Sequence, residues 1–267
     1  MKLSKFILVL LTVTLIYSCS TVPLTGRRQL SLVDDSQINQ AAAASYQQLL
    51  SDPKTKVINT TSADAQRVKR VGQQLAVAIE KYLNQNGYAN QYQFAWEFNL
   101  IQSEEVNAWC MPGGKVAIYS GILPVTQTDA GLAVVMGHEI AHAIAKHSAE
   151  RMSQEMAAQA GGSILGAATS SKSSAAQSII NGLYGVGGQL AILKYSRDQE
   201  SEADRLGLTF MAMAGYDPNA AVAFWQRMSS QKTGGAPPEF LSTHPADATR
   251  IANIQKAIPE AMKYYKK

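Results

Sequence analysis

The stretch MGHEIAHAIAKH, residues 136–147, places two histidines four positions apart and a glutamate directly after the first. On an α-helix, residues four apart differ by only about 40° around the axis, so His138 and His142 point the same way. Two neutral imidazoles on one face can occupy two corners of a tetrahedral zinc site. Glu139 is turned about 100° away, where it can reach a water molecule activated by the metal. The motif therefore predicts a catalytic zinc-binding helix.

The residues around this motif predict a buried helix from Asp129 to His147, because apolar side chains occur on every side of the helical wheel. A metzincin would continue with a glycine and a third histidine, but Ala145 and Ser148 stand at those positions. That class is excluded. His147 lies about 180° around the helix from His138, so we expect it to be a structural residue rather than a ligand.

The third ligand has to come from another part of the chain, and the helix that begins at Ser196 offers carboxylates. Its first residues, S-R-D-Q, have the form of a capping box. Glu200 and Asp204 lie beside the apolar stripe of this helix, whereas Glu202 is about 200° away from Glu200. We expect Glu200 to bind the metal, Asp204 to accept a hydrogen bond from a ligand imidazole, and Glu202 to face solvent.

Three segments before the zinc helix predict strands. Large side chains alternate with smaller or polar ones over residues 92–100, and a hairpin with a Pro-Gly-Gly turn joins 107–111 to 115–120. A proline is at home at an edge or a turn, so we expect this hairpin to form the edge of a small sheet. An edge strand can pair with an extended substrate backbone. The residues expected to do so are Asn107, Ala108 and Trp109.

The segments HEIAH, ESEAD and STHPADATR, in this order, resemble the zinc metallopeptidase family that includes the CAAX prenyl proteases, the HtpX membrane proteases and the Oma-type proteases. These gluzincins form metallopeptidase family 48. The resemblance implies a helix-rich α+β fold for residues 34–267, a gluzincin-type domain with a small antiparallel sheet beside the zinc helix. It implies one Zn²⁺ per chain. The implied ligands are His138, His142 and Glu200, with Glu139 as the catalytic glutamate and Asp204 beside the ligands.

The family's H-P-x-x-x-x-R element falls on His244 and Arg250. The resemblance implies that both help to hold the oxyanion of the tetrahedral intermediate, and a donor there is worth about 10²–10³ in rate. In some members the histidine instead caps the zinc and silences the enzyme. We favour the oxyanion role because Arg250 follows at a spacing that lets both side chains converge, and the cap stays open as the alternative.

The N-terminus predicts export. Residues 1–18 have two lysines followed by an apolar run that is too short for a transmembrane helix, as in a signal peptide. Residues 16–19 resemble the bacterial lipoprotein cleavage box, which makes Cys19 the lipidation site and residues 19–33 a lipid-anchored tether. Ser20 resembles the outer-membrane sorting pattern, so we expect an outer-membrane lipoprotein facing the periplasm. A simple secretory signal is the alternative.

Net charge and residue composition limit the kinds of binding partner and segment that we expect. The 267 residues carry a formal net charge of +4, and removal of the predicted signal peptide takes away two lysines. The remaining positive charge is too small to favour a nucleic-acid partner. Residues rich in Ala, Gly and Ser at 157–190 predict a helical hairpin or a lid. We expect neither the transmembrane helices of the membrane-embedded relatives nor a tetratricopeptide extension after Lys267.

These features predict a zinc-dependent endopeptidase that acts on misfolded or misassembled proteins of the bacterial envelope and reaches the membrane through its N-terminal lipid. One alternative is a latent protease that works mainly as a chaperone-like outer-membrane assembly factor. Another is a non-catalytic lipoprotein with structural zinc, which is disfavoured because a closed structural site needs no glutamate beside a ligand.

Overall fold

The computed structural model describes residues 19–163, 195–231 and 238–266. The strands are β1 (Cys19–Thr21), β2 (Arg28–Leu30), β3 (Glu97–Ile101), β4 (Ala108–Met111) and β5 (Lys115–Tyr119). The helices are α1 (Asp35–Ser51), α2 (Ala63–Gln85), α3 (Leu123–Thr126), α4 (Asp129–Ile144), α5 (His147–Ser163), α6 (Arg197–Met213), α7 (Ala220–Ser230), α8 (Glu239–Thr243) and α9 (Ala248–Ala261). Short 3₁₀ turns lie at Ala89–Gln91, Ser120–Ile122 and Met262–Tyr264.

The helix-rich α+β class is confirmed, and a small sheet packs beside α4, the helix predicted to bind zinc, but this sheet is mixed rather than antiparallel throughout. Strands β4 and β5 form the predicted antiparallel hairpin, and β3 pairs with β5 in parallel, in the order β3-β5-β4. The hairpin turn holds Gly113 and Gly114 at φ of +78° and +85°, a conformation that side chains with a Cβ adopt only with strain. A Cβ at Gly114 would also lie 2.5 Å from the ring of Trp96. The turn therefore needs glycine.

Helix α4 is the central element of the fold. It begins after Thr128, whose hydroxyl accepts a hydrogen bond from the backbone N–H of Gly131. Every residue from Gly131 to His142 is buried, as the all-round apolar pattern predicts. The helix packs against β4, α2, α6 and α7. Polar side chains on α4 are thus held in a low-dielectric interior.

Helices α4 and α6 cross at a pair of glycines. A Cβ on Gly137 would meet the carbonyl oxygen of Gly207 at 2.9 Å, and a Cβ on Gly207 would meet the backbone nitrogen of His138 at 2.8 Å. These distances are shorter than ordinary Cβ contacts, so only glycine allows the two backbones to approach this closely. Helix α6 begins with the predicted capping box, in which the side chains of Ser196 and Gln199 each bond the other's backbone N–H.

Residues 19–33, expected to be a tether, form a folded segment on the domain. Strands β1 and β2 pair antiparallel, and Val22 and Gln29 are buried. The segment contacts α5, where the backbone N–H of Leu32 donates to the hydroxyl of Ser153 at 2.9 Å. Its attachment to a lipid stays a prediction.

Two predictions fall partly or wholly outside the described residues. The predicted signal peptide, residues 1–18, lies outside them, and so does most of the predicted hairpin or lid at 157–190, whose first residues form the end of α5. Within the ranges that the structure describes, no helix has the length and apolar character that crossing a membrane requires.

Candidate metal centre

Four buried side chains converge where α4 and α6 cross. His138 and His142 come from α4, Glu200 comes from the first turn of α6, and His244 comes from the residue that ends α8. One ligand atom of each lies within 4.8 Å of the ligand atoms of the others. Helix α4 thus supplies the two histidines that the sequence spacing predicted. The close crossing of α4 and α6 at their glycines brings the carboxylate of Glu200 next to these histidines.

The distances at the centre are those of ligand atoms that face one another. The two Nε2 atoms of His138 and His142 are 3.1 Å apart. The carboxylate oxygens of Glu200 lie 3.4 Å from Nε2 of His142 and 3.5 Å from Nε2 of His138. Two imidazoles and a carboxylate form the ligand set of thermolysin-type catalytic zinc sites.

Unsatisfied polar atoms show that this site fits a cation. Oε2 of Glu200 and Oε1 of Glu139 are buried, and neither accepts a hydrogen bond from the residues that the structure describes. Buried polar atoms normally have a partner, because an unpaired one loses its hydration without compensation. Nη1 of Arg250 approaches this oxygen of Glu200 at 3.1 Å without hydrogen-bond geometry. A metal ion would complete the surroundings of the carboxylate, so the residues present fit zinc.

The pKa values of the two histidines shift in opposite directions. Burial lowers the pKa of His142 well below its usual value, which keeps the imidazole neutral, as a metal ligand has to be. Burial also lowers the pKa of His138, but hydrogen bonds to Asp204 and Glu200 outweigh it and raise that pKa to about 9. The carboxylates therefore create a potential that stabilises positive charge, whether a proton or a metal ion carries it.

Glu139 lies next to the cluster without belonging to it. Its Oε1 is 3.5 Å from Nε2 of His244. Burial raises its pKa, and the opposing effects of His244 and His138 do not cancel the rise. A carboxylate with a raised pKa is better matched to proton transfer near neutral pH than an exposed one.

Asp204 and Arg250 contact the ligand residues and fix their orientation. Oδ1 of Asp204 lies 2.9 Å from Nδ1 of His138, so the carboxylate directs the other ring nitrogen toward the cluster. Arg250 donates to both oxygens of Asp204 at 2.8 Å, and its Nη1 lies 3.1 Å from Glu200 Oε2. Its guanidinium also lies 3.6 Å from the ring centre of Trp225. Arg250 thus holds the two carboxylates in place, and its role at an oxyanion stays a prediction.

His244 lies inside the cluster. Its Nδ1 is 2.9 Å from Oε1 of Glu200 and 3.2 Å from Nε2 of His138. The ring is buried. From this position the ring of His244 can serve in either role that the sequence left open, as an oxyanion donor or as a cap on the metal.

The expectation that Glu202 faces solvent is wrong. Its side chain is 2% exposed, and it contacts His147, Thr25 and Arg27. These partners lower its pKa to about 2, against a burial effect that raises it. The reason is tertiary: the polar face of α6 is covered by the N-terminal segment, which a helical wheel cannot reveal. The group of four ligand residues does not include His147, in line with the prediction, and its Nδ1 lies 2.8 Å from Nδ1 of His142.

Sequence reasoning also missed Tyr195, which contacts a ligand, and Arg27, which contacts Glu202. The ring of Tyr195 stacks on His142 at 3.9 Å between ring centres, and its hydroxyl lies 3.0 Å from that of Ser148. Arg27 reaches Glu202 from a segment taken to be a tether. No local pattern marks either residue, because both reach the site through contacts distant in sequence.

Strand β4 lies at the edge of the sheet, where the expected substrate-pairing residues are. Asn107, Ala108 and Trp109 are largely buried. Clefts reach two of the cluster residues in the described part of the chain. One of about 640 Å³ touches Glu200, and one of about 530 Å³ touches His142 and the β4–β5 turn.

A glutamate that adjoins a ligand without being one distinguishes catalytic from structural zinc, and together with the glutamate ligand from a second helix it defines the gluzincin class of zinc metallopeptidases. Comparison with known sequences agrees. The chain belongs to peptidase family M48, whose model matches residues 62–258.

Individual relatives of the chain are peptidases by name. The mitochondrial metalloendopeptidase OMA1 of Schizosaccharomyces pombe is 31% identical over 241 residues, which cover 90% of this chain and 66% of the relative. That of Saccharomyces cerevisiae is 36% identical over 177 residues, covering 64% of this chain and 49% of the relative. The beta-barrel assembly-enhancing protease of Escherichia coli is 30% identical over 189 residues, covering 66% and 38%. The chain thus spans roughly half the length of these relatives.

Proposed function

We propose that the chain is a zinc-dependent endopeptidase that removes misfolded or misassembled proteins from the bacterial envelope. The observation that carries the chemistry is the buried cluster of His138, His142 and Glu200 with Glu139 beside it. These three residues would hold zinc, which when bound would supply Lewis-acid activation of water and of the scissile carbonyl. Glu139 accepts the proton that water loses as it attacks and passes it to the leaving amine.

The broad substrate class follows from the edge strand and the clefts. An extended peptide that pairs with β4 binds through its backbone, so affinity depends little on its sequence. A folded protein offers few extended segments with free backbone groups, whereas a misassembled one exposes them. The two clefts that reach Glu200 and His142 leave room for such a segment beside the metal.

The envelope is proposed from the relatives and the N-terminus together. Relatives in Escherichia coli and Vibrio cholerae carry the name beta-barrel assembly-enhancing protease, the latter with the qualifier putative, while the OMA1 relatives are mitochondrial. The signal-like residues 1–18 and the lipoprotein-like Cys19 favour the bacterial envelope. We therefore place the enzyme on the periplasmic face of the outer membrane, attached through lipid on Cys19.

A second candidate is a latent protease that acts mainly as a chaperone-like assembly factor. The observation in its favour is the position of His244, whose Nδ1 belongs to the group of ligand atoms. A fourth protein ligand closes the open coordination position that catalytic zinc sites keep. In this form the protein binds envelope proteins and cleaves them only after His244 moves.

Casein cleavage tests the peptidase activity. We expect the purified protein to contain one zinc per chain, to cleave casein, to lose cleavage with 1,10-phenanthroline and to regain it when zinc is restored. The same assay on His244→Ala tests whether the protein is a latent protease that His244 keeps inactive. Zinc-loaded protein that cleaves neither as wild type nor as this variant would contradict the proposal.

A further inference from the structure

A line of buried polar contacts runs from the metal site to the N-terminal segment. His142 Nδ1 lies 2.8 Å from His147 Nδ1, and His147 Nε2 lies 3.0 Å from Glu202 Oε2. Arg27 donates from Nε to the same carboxylate oxygen at 2.7 Å. We propose that Arg27 is a positioning residue for the metal ligand His142, acting through Glu202 and His147. This proposal rests on the zinc site of the proposed function.

The direction of these hydrogen bonds determines the tautomer of His142. The carboxylate of Glu202 can only accept, so His147 donates to it from Nε2. The two Nδ1 atoms of His147 and His142 are at hydrogen-bond distance, so one donates and the other accepts. With its proton on Nε2, a neutral His147 has Nδ1 free to accept, and His142 then donates from Nδ1. That tautomer leaves the Nε2 lone pair of His142 facing the cluster, as metal binding requires.

Glu202 can orient His147 only if its own carboxylate is held. Thr25 donates to Oε1 at 2.6 Å while Arg27 donates to Oε2, so both oxygens are fixed from the N-terminal segment. Without Thr25 and Arg27, only His147 would hold the carboxylate among the contacts that the structure gives it. The residues between Cys19 and β2 therefore complete the support of the metal site.

Arg27 also bridges a second carboxylate. Its Nη1 and Nη2 donate to the two oxygens of Glu150 at 2.7 and 3.0 Å, and Nη2 reaches Gln29 at 3.1 Å. The planar guanidinium can serve Glu202 and Glu150 at once, which a lysine ammonium on a flexible stem does less well. Removal of Arg27 would leave two buried carboxylates without their shared counter-charge, and only Thr25 and His147 would still hold Glu202 among the contacts described above.

Zinc affinity is the direct measurement. In competition with a chromogenic chelator, we expect Arg27→Ala to bind zinc about tenfold more weakly than wild type, the lower end of the range for lost support of a ligand. The matched control is Arg28→Ala, which removes an exposed arginine from the next position and should leave affinity unchanged. If Arg27→Ala does not fold, Arg27→Lys carries the test, and we expect an intermediate loss.

A double-mutant cycle separates positioning from general structural damage. Because Arg27 acts through His147, Arg27→Ala should weaken zinc binding little further in a protein that already carries His147→Ala. Fully additive losses would overturn the relay. The visible spectrum of the cobalt-substituted protein should change in Arg27→Ala and not in Arg28→Ala, because ligand geometry sets that spectrum.

Kinetics add an independent criterion. A displaced ligand should lower kcat of the zinc-saturated Arg27→Ala enzyme with KM little changed. Wild-type protein that binds no zinc would overturn both this inference and the proposed function. Wild-type protein that binds zinc and cleaves casein, together with an Arg27→Ala variant of equal zinc affinity, would overturn the inference alone.

Discussion

Glu139 and Glu200 are both buried carboxylates, yet their surroundings give them different tasks. Burial acts to raise the pKa of Glu200, but the electrostatic effect of His244 and hydrogen bonds with His138, His142 and His244 outweigh it and lower that pKa far below the usual value. Burial raises the pKa of Glu139, which has no hydrogen bond to Oε1 from the described part of the chain. One carboxylate stays ionised as a ligand, and the other can exchange a proton.

The Glu139→Gln variant should keep its zinc and its fold but lose casein cleavage. The amide is nearly isosteric and leaves the ligands untouched, while it cannot accept the proton from water. We expect kcat to fall by about 10²–10⁴, with zinc content measured in the same samples. His142→Ala is the contrasting variant, in which the zinc itself should be lost. Wild-type turnover by Glu139→Gln would remove Glu139 from the mechanism.

The two roles of His244 predict opposite changes. Its Nδ1 lies among the ligand atoms, so as a cap on the metal its loss in His244→Ala should raise casein cleavage, because water and substrate gain access. An oxyanion donor would instead lower kcat by about 10²–10³ with KM little changed. Steady-state kinetics at saturating zinc decide between these outcomes. Unchanged kinetics would place His244 outside the reaction.

At the scale of elements, the site depends on how closely two helices approach. Helix α4 carries the histidine pair and α6 carries the carboxylate, and neither has the full ligand set alone. Gly137 and Gly207 allow the backbones to meet. Packing, rather than local sequence, therefore sets the distance between the imidazoles and the carboxylate of Glu200.

Gly207→Ala should separate the helices and weaken the metal site. The new Cβ would lie 2.8 Å from the backbone nitrogen and 3.0 Å from the Cα of His138. Forced overpacking typically costs about 1–3 kcal/mol, so we expect a lower unfolding temperature and weaker zinc binding. Arg205→Ala introduces the same residue at an exposed position of α6 and is the control. Equal zinc affinity in both variants would contradict this account of the crossing.

At the scale of the molecule, the N-terminal segment links the expected membrane anchor to the catalytic domain. Strand β1 begins at Cys19, and Arg27 reaches the polar face of α6 only eight positions later. A lipid on Cys19 would therefore hold the domain close to the membrane rather than at the end of a long flexible linker.

Cys19→Ser should move the protein from the membrane fraction to the soluble periplasmic fraction. Loss of the expected acylation site should remove the anchor, while zinc content and casein cleavage should stay as in wild type, because the metal cluster is built from His138, His142, Glu200 and His244. Cys110→Ser, which alters the remaining cysteine, should stay with the membrane. Continued membrane association of Cys19→Ser would point to a protein partner or another segment as the anchor.

The sequence by itself determined the chemistry and the class of fold. The spacing of His138 and His142 fixes their common direction on any helix, the capping box starts α6, and the all-round apolar pattern buries α4. These are local properties, so they are visible without a structure. The motifs HEIAH, ESEAD and STHPADATR are local as well, so their order along the chain was enough to indicate the metallopeptidase family.

Only the tertiary structure decided how the ligands are supported. Whether Glu202 meets water depends on what packs against α6, and the answer is a segment about 175 residues away in sequence. The contact of Arg250 with Asp204 and the place of His244 among the ligands likewise arise from elements brought together by packing. A helical wheel records the polarity of a face but not its neighbour, because burial is a property of the whole fold.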